Sequence, residues 1–170
     1  METGKRMWIA MVVLVACARL LPHPWNFTPL MAIGLFSGYQ ARKAGTGILV
    51  TLAALALSDL ILGFTSDFWF VYAAALVAVL LGRVARNRGN VTAIAAGAVG
   101  SSLSFFLITN FMVWATGRLY PGTLNGLTAC FAAAIPFYQN QALGDVFYTV
   151  AIFGGYALLK SWFQPVHQAA

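Results

Sequence analysis

An uncharged run over residues 91–115, VTAIAAGAVGSSLSFFLITNFMVWA, restricts the possible folds of this chain more than any other feature. A helix crosses the hydrocarbon core of a bilayer with about 20 consecutive apolar residues, so this run is long enough to span. Charged residues make up only 8% of the 170 residues and hydrophobic ones 61%, whereas soluble domains carry roughly 25% charged residues. The sequence therefore predicts an all-α integral membrane protein, a single domain over residues 1–170.

Six apolar segments are predicted to form helices. Five are long enough to be read as spans or near-spans, but residues 29–41 cover only about 20 Å of a core roughly 30 Å thick. That segment either crosses as a short helix or dips into the membrane and returns. The predicted helices are residues 7–21, 29–41, 46–64, 69–82, 91–115 and 141–163.

The placement of basic residues favours six crossings. With both termini in the cytoplasm, eight of the ten Lys and Arg lie inside and only Arg19 and Arg118 lie near the outer side, as the positive-inside rule requires. If the second segment returned to the side from which it entered, residues 83–90, RVARNRGN, would lie outside the cell. The prediction is a multi-pass protein of the bacterial inner (plasma) membrane, embedded in the lipid bilayer with cytoplasmic N- and C-termini. No nucleic-acid partner is expected, because no basic patch is interleaved with aromatic residues.

The N-terminus permits an alternative interpretation. A KR pair, an apolar stretch and ACA resemble a secretory signal with its cleavage site, and LVAC resembles a lipoprotein processing box ending at Cys17. Cleavage would leave five helices. Otherwise Cys17 and Cys130, both in apolar context, are expected to be small buried side chains.

Two outer loops differ from ordinary connections. The stretch ARLLPHPWNFTPL, residues 18–30, concentrates prolines and polar groups, with Thr28 predicted to cap the second helix and Pro29 in its first turn. Its part PHPWNFT, residues 22–28, is predicted to be a rigid lid edge, the alternative being a structural loop in which Trp25 anchors the chain at the membrane interface. Residues 117–140 are too long and too apolar for a solvated loop. They are predicted to contain a short interfacial or re-entrant helix near 124–136 that ends at Pro136, the alternative being a half-buried packing helix.

Polar residues within the apolar segments carry the functional prediction, because such groups are costly in lipid and face protein or water. Asp59 lies near the outer end of the third helix, Asn110 near the outer end of the fifth, and Asp145 at the start of the sixth. Arg19 is the natural counter-charge for Asp59 or Asp145. Two interpretations stay open: a structural ion pair that locks the bundle, or a polar floor under an outward-facing pocket.

Small residues every four positions predict close helix packing. The fifth helix carries this pattern at Ala93, Gly97 and Ser101, which predicts a central position, and the fourth helix has a weaker version at Ala74 and Ala78. The sequence has no Walker motif, no nucleophile with a histidine base nearby in sequence, and no His, Cys or carboxylate cluster with metal spacing. We therefore expect no catalytic residue, no metal, no cofactor and no enzyme activity.

The stretches ARLLPHPWNFTPLMAIGLFSGY, LSDLILGF, FFLITNFMVW and LYPGTLNGLTACFAAAIPFYQNQALGDVFYT resemble an uncharacterised family of small bacterial membrane proteins. That family is similar to the substrate-binding S components of energy-coupling factor (ECF) vitamin transporters. The resemblance implies a six-helix protein that binds a small solute from outside and works with a coupling membrane protein and ATPase subunits. The first helix lacks the Ala-x-x-x-Ala pair that often contacts the coupling protein.

The predicted function is thus an S-component-like binding subunit or small transporter for a vitamin-like or other compact organic solute. Small-molecule sites are mostly apolar with a few placed polar groups, and the outer half of the predicted bundle offers this mixture. The alternative is a structural or assembly subunit of a larger membrane complex. The residues expected to line the site are Arg19, His23, Trp25, Asn26, Asp59, Asn110, Trp114 and Tyr120.

Overall fold

The computed structural model describes residues 2–66 and 68–163, with side chains described between 8 and 161. This part of the chain forms six helices and contains no strand, which confirms the all-α prediction. The predicted cytoplasmic C-terminus, residues 164–170, lies outside the described residues. The helices are α1 (Glu2–Leu20), α2 (Leu30–Gln40), α3 (Ala44–Leu62), α4 (Phe68–Arg88), α5 (Val91–Ala115) and α6 (Leu124–Phe163).

Four of the described helices are long and apolar enough to cross a membrane, namely α3, α4, α5 and α6 over Leu124–Ser161. The apolar part of α1, Trp8–Leu20, is shorter. Hydrophobic side chains are exposed along all four long helices, for example Leu60, Leu80, Leu107 and Val150. Lipid is the solvent in which such a surface is stable.

Most predicted boundaries agree with the structure to within a few residues, and α5 begins and ends where predicted. Asn90 caps it by accepting a hydrogen bond from the Ala93 amide at 2.8 Å. In contrast, α4 continues to Arg88 instead of ending at residue 82. Arginine favours helices, so the helix outlasts its apolar stretch. It stops at Gly89, whose φ of +64° is open to glycine at little cost.

The separate short helix predicted near 124–136 is not observed, because α6 runs unbroken through Pro136. A proline removes one backbone hydrogen bond, but the bonds before and after it still form, and long apolar helices tolerate this loss. With 40 residues, α6 is about 60 Å long. Asp145, predicted to open the sixth helix, consequently lies well inside it.

The short helix α2 is the centre of the bundle. Its residues 30–38 are all buried, and it contacts α3, α4, α5 and α6. It meets α4 backbone to backbone: a Cβ added at Gly38 would lie 2.0 Å from the Val79 carbonyl oxygen, and one at Gly82 would lie 2.0 Å from the Leu35 carbonyl oxygen. The closest crossing is thus built on α4, where the sequence pattern was weaker, although Gly97 of α5 also packs on Leu35.

The proline-rich segment of residues 21–29 precedes α2, which is too short to cross a bilayer by itself. The helix has 11 residues, about 16 Å, which is roughly half of a hydrocarbon core. Pro29 occupies its N-cap position without a side-chain cap, so Thr28 stands one residue too early to cap the helix, contrary to prediction. Residues 21–29 thus connect the end of α1 to a helix that begins inside the bundle.

Basic side chains close the other end of α2. Arg86 Nη1 donates to the Ala41 carbonyl at 2.6 Å, and both Arg83 terminal nitrogens donate to the Arg42 carbonyl at 3.4 and 3.5 Å. Cations stabilise helix C-termini, where carbonyls lack helical partners. These contacts place residues 41–43 and the last turn of α4 together, and we call this region the basic end.

The two cysteines differ in burial. Cys130 is buried as expected, and its thiol donates to the Asn110 carbonyl at 3.4 Å. Cys17 is exposed, contrary to prediction, because α1 buries the adjacent Val15 and Ala16 against the bundle and turns the next residue outward.

Candidate functional site

A buried ion pair joins α1 to α3. Arg19 Nη1 lies 2.9 Å from Asp59 Oδ1, which confirms one of the two predicted pairings. The same nitrogen donates to the Ser58 hydroxyl and, at 3.4 Å, to the Leu55 carbonyl. Tyr72 of α4 donates its hydroxyl to Asp59 Oδ2 at 3.0 Å. The pair therefore connects three helices, and the other guanidinium nitrogens of Arg19 make no hydrogen bond to the residues that the structure describes.

Phe27 fixes the proline-rich segment to the middle of α6. Its ring centroid lies 5.8 Å from that of Phe147 and 5.6 Å from that of Tyr148. Gly144 provides the seat, since a Cβ there would come within 3.1 Å of the Phe27 Cα. The neighbouring residues of the segment, on either side of Phe27, are thereby held next to Asp145.

Two adjoining cavities lie where this segment meets the helices. The larger, which we call the loop cavity, has a volume of about 170 Å³. It is lined by Arg19, Asn26, Thr28, Leu30, Met31, Val71, Phe105, Gln141 and Asp145. A cavity of about 150 Å³ holds a benzene molecule, so the loop cavity has room for a compact organic group.

The smaller cavity, which we call the aromatic cavity, has a volume of about 100 Å³. It shares Asn26, Phe105 and Gln141 with the loop cavity. Its complete lining is Asn26, Phe105, Phe106, Thr109, Asn110, Ala134, Phe137, Tyr138 and Gln141. Together the two cavities combine aromatic walls with a few amide, hydroxyl and charged groups, which is the usual composition of a small-molecule site.

A polar group is built into the floor of both cavities. Gln141 Nε2 donates to the Ser102 carbonyl at 2.9 Å and to the Ser102 hydroxyl at 3.3 Å. It also approaches Asp145 Oδ2 at 3.4 Å. Gln141 and Asp145 are four residues apart and share one face of α6. Because Ser102 lies in the middle of α5, this floor sits deep within the bundle.

The structure brings together four of the eight residues that the sequence suggested. Arg19, Asn26 and Asn110 line the cavities, and Asp59 lies behind Arg19 as its ion-pair partner. Asn110 also donates to the Phe106 carbonyl at 2.8 Å, which fixes its amide on α5.

The other four suggested residues lie outside both cavities. Trp25 is 78% exposed, and the exposed His23 contacts only the Pro24 carbonyl, at 3.0 Å, among the described residues. Trp114 donates its indole N–H to the Pro121 carbonyl at 3.0 Å and so holds the α5–α6 connection. Tyr120 lies half-buried in that same connection.

Gln141, Thr28 and Phe105 line the cavities but were absent from the predicted set. The predicted sixth helix, residues 141–163, begins at Gln141, and a polar side chain at a helix end is ordinary. The position of Gln141 four residues before Asp145, on the same face of that helix, was the available signal.

Asn26 combines a special backbone with a free side chain. Its φ is +63°, the left-handed region, and among the described residues its amide makes no hydrogen bond although it lines both cavities. We expect Asn26→Ala to lower stability by about 1 kcal/mol, because alanine is strained in this conformation, which asparagine tolerates better through its short polar side chain. Asn26→Gly removes the same amide without that strain. Thermal melting in detergent compares the two, and equal melting temperatures would refute the backbone argument.

Comparison with known proteins gives a family and no function. No group of three or more His, Cys, Asp or Glu that could hold a metal ion occurs among the residues described. No curated protein and no solved structure matches the sequence. The model of one protein family, DUF6580, described as a family of unknown function, matches residues 2–167. Since this match covers nearly the whole chain, the protein belongs to the DUF6580 family.

Proposed function

We propose that this protein binds a vitamin-like or other compact organic solute within the bacterial inner membrane. The solute occupies the loop cavity and the aromatic cavity, and the protein acts in its uptake by binding, with no catalytic step. The proposed partners, as for the S components of ECF transporters, are a coupling membrane protein and ATPase subunits. One observation carries the proposal: an irregular, proline-rich segment reaches the middle of the helix pair α5–α6 and there lines a cavity with the side chains of Asn26 and Thr28, which make no hydrogen bond within the described part of the chain.

The cost of non-helical backbone in lipid argues for a functional role of this segment. Non-helical backbone at membrane depth is tolerated where protein buries it or where it lines a cavity. Transporters use interrupted helices of this kind to present polar groups to a solute. Here the interruption is the half-length α2 with residues 21–29 before it, and the groups presented are Asn26 and Thr28.

The proposed orientation has six crossings and both termini in the cytoplasm. Its support is charge: the basic end joins Arg42, Arg83 and Arg86 in space. At the opposite end of α4, Arg118 donates to Ser66 at 3.3 Å, so the α5–α6 and α3–α4 connections adjoin there. In this orientation the basic end faces the cytoplasm and residues 21–29 open outward.

The orientation predicts a labelling pattern. In a variant without Cys17 and Cys130, Lys43→Cys and Asn87→Cys should be shielded from a membrane-impermeant thiol reagent added to intact cells. Gly122→Cys should be labelled. After the cells are broken open, all three should react, which shows that the shielded positions are accessible in principle. Labelling of Asn87→Cys from outside would overturn the six-crossing orientation.

Identification of bound molecules tests the function itself. The wild-type protein, purified in mild detergent and then denatured, should release a small molecule that mass spectrometry detects at a constant ratio to protein. Asn26→Gly should lower that ratio several-fold, because it removes an amide from the wall of both cavities without straining the backbone. Melting temperature is measured in parallel to show that both proteins are folded.

Trp25→Ala is the matched control, since it alters the adjacent residue of the same segment, whose side chain is exposed and outside the cavities. It should carry the molecule at the wild-type ratio. If wild type carries no molecule, or if Asn26→Gly carries it undiminished, the cavities are not the solute site. A role as a structural subunit of a larger membrane complex would then be preferred.

A further inference from the structure

An unpaired carboxylate lies in the wall of the loop cavity. Asp145 is 3% exposed, yet among the described residues it forms no ion pair. It accepts hydrogen bonds from the Ser102 hydroxyl and from Gln141 Nε2, and at 3.4 Å the second contact is long, because the same nitrogen bonds more closely to the Ser102 carbonyl at 2.9 Å. A buried carboxylate without a counter-charge is costly.

Arg19 does not neutralise Asp145, although both line the loop cavity. The Arg19 Nη1 atom is directed to α3, where it contacts Asp59, Ser58 and Leu55. Asp59 balances its charge, so the cluster of Arg19, Asp59 and an ionised Asp145 carries one net negative charge. A cation in the cavity would restore neutrality.

The other side chains that line the cavities indicate what kind of molecule would carry that positive charge. Leu30, Met31, Val71 and Phe105 give the loop cavity an apolar surface, and the adjoining aromatic cavity adds the rings of Phe106, Phe137 and Tyr138. Aromatic faces attract cations and pack well against flat apolar groups. A metal ion would use only the side-chain oxygens of the loop cavity and leave its apolar walls and the adjoining rings without contacts, whereas an ammonium group on an apolar body matches both the carboxylate and the rings.

Resting on the solute-binding function proposed above, we propose that the solute is an amine whose protonated nitrogen binds the Asp145 carboxylate. Its body is of about the size of a benzyl group and packs on Phe105. Asn26 and the free nitrogens of Arg19 then face any hydrogen-bond acceptors that the solute carries. Recognition by charge-assisted hydrogen bonding gives both affinity and discrimination.

Three probes of equal size and different charge test this class: benzylamine, benzyl alcohol and benzoate. Titrated against the purified protein in lipid nanodiscs at pH 7, benzylamine should bind about tenfold more tightly than benzyl alcohol, as one charge-assisted hydrogen bond implies. Benzoate should not bind. Displacement of a bound fluorescent amine or a melting-temperature shift provides the measurement.

Asp145→Asn keeps the shape of the side chain and removes its charge. In this variant benzylamine and benzyl alcohol should bind equally. Thr149→Val, one turn further along α6, is the control: it replaces a buried hydroxyl that has no hydrogen-bond partner among the described residues and lies outside both cavities, so the tenfold preference should persist.

The wild-type comparison does not depend on the folding of any variant, so it tests the proposal even if Asp145→Asn is unstable. Equal binding of the amine and the alcohol, preference for benzoate, binding of none of the three, or an unchanged preference in Asp145→Asn would each overturn the amine class. In those cases a molecule that co-purifies with wild type and is depleted in Asn26→Gly would leave the solute-binding function standing. The two proposals therefore fail separately.

Discussion

Gly82→Ala should prevent stable folding or strongly lower the melting temperature. The new Cβ would lie 2.0 Å from the Leu35 carbonyl oxygen and 2.9 Å from the Tyr39 amide nitrogen, both backbone atoms of the central helix. Ordinary overpacking costs about 1–3 kcal/mol, because side chains can shift. Here only the separation of two helix backbones relieves the clash, so we expect a loss on the order of 3 kcal/mol or more.

Gly154→Ala is the matched control for this prediction. It also adds one methyl group in a helix interior, but within the described part of the chain no atom beyond the adjoining backbone of its own helix lies within 4 Å of the added Cβ. Because alanine is the better helix former, this variant should be neutral or more stable by roughly 0.5–1 kcal/mol. Thermal melting and the yield of monodisperse protein in detergent measure both. Similar melting of the two variants would show that α2 and α4 do not cross as closely as the structure has them.

Much of the fold could be predicted because apolar length is written directly into the sequence. The uncharged run of α5 gave its bounds, and the first and last residues of α3 differ from prediction by two residues each. Apolar length does not predict the end of a helix that continues beyond its apolar part, as α4 does through its terminal arginines. The helix end predicted at Pro136 was also wrong, because proline ends helices in water more reliably than it ends long apolar helices.

The candidate site was only partly predictable, for a geometric reason. Polar residues in apolar segments were correctly suspected to meet, and Arg19 does pair with Asp59. However, which side chains of residues 21–29 point inward depends on a backbone that has no period. Phe27, the anchor, has no signal of its own in sequence, and its seat Gly144 is distant along the chain. His23 and Trp25 were included for their chemistry and lie on the exposed side.

The Arg19–Asp59 ion pair should contribute strongly to the stability of the helix bundle. Arg19→Ala leaves Asp59, which is 6% exposed, with the Tyr72 hydroxyl as its remaining side-chain donor. Removal of one partner from a buried ion pair costs about 3–5 kcal/mol, since the other charge stays buried and uncompensated. We therefore expect a large fall in melting temperature for Arg19→Ala. Unchanged melting would mean that the arginine extends to water and leaves the carboxylate to other donors.

A double-mutant cycle separates the pair from a general loss of packing. If the charges interact as the 2.9 Å contact indicates, Arg19→Ala combined with Asp59→Ala should destabilise less than the sum of the two single changes. A shape-matched apolar pair, Arg19→Met with Asp59→Leu, should recover most of the loss, because it removes both charges and refills the space. Arg19→Ala combined with Asp145→Asn serves as the comparison, and there the losses should simply add, since Arg19 is committed to α3. Coupling to Asp145 as strong as to Asp59 would instead place the arginine between the two carboxylates, and the net negative charge assigned to the loop cavity would have to be withdrawn.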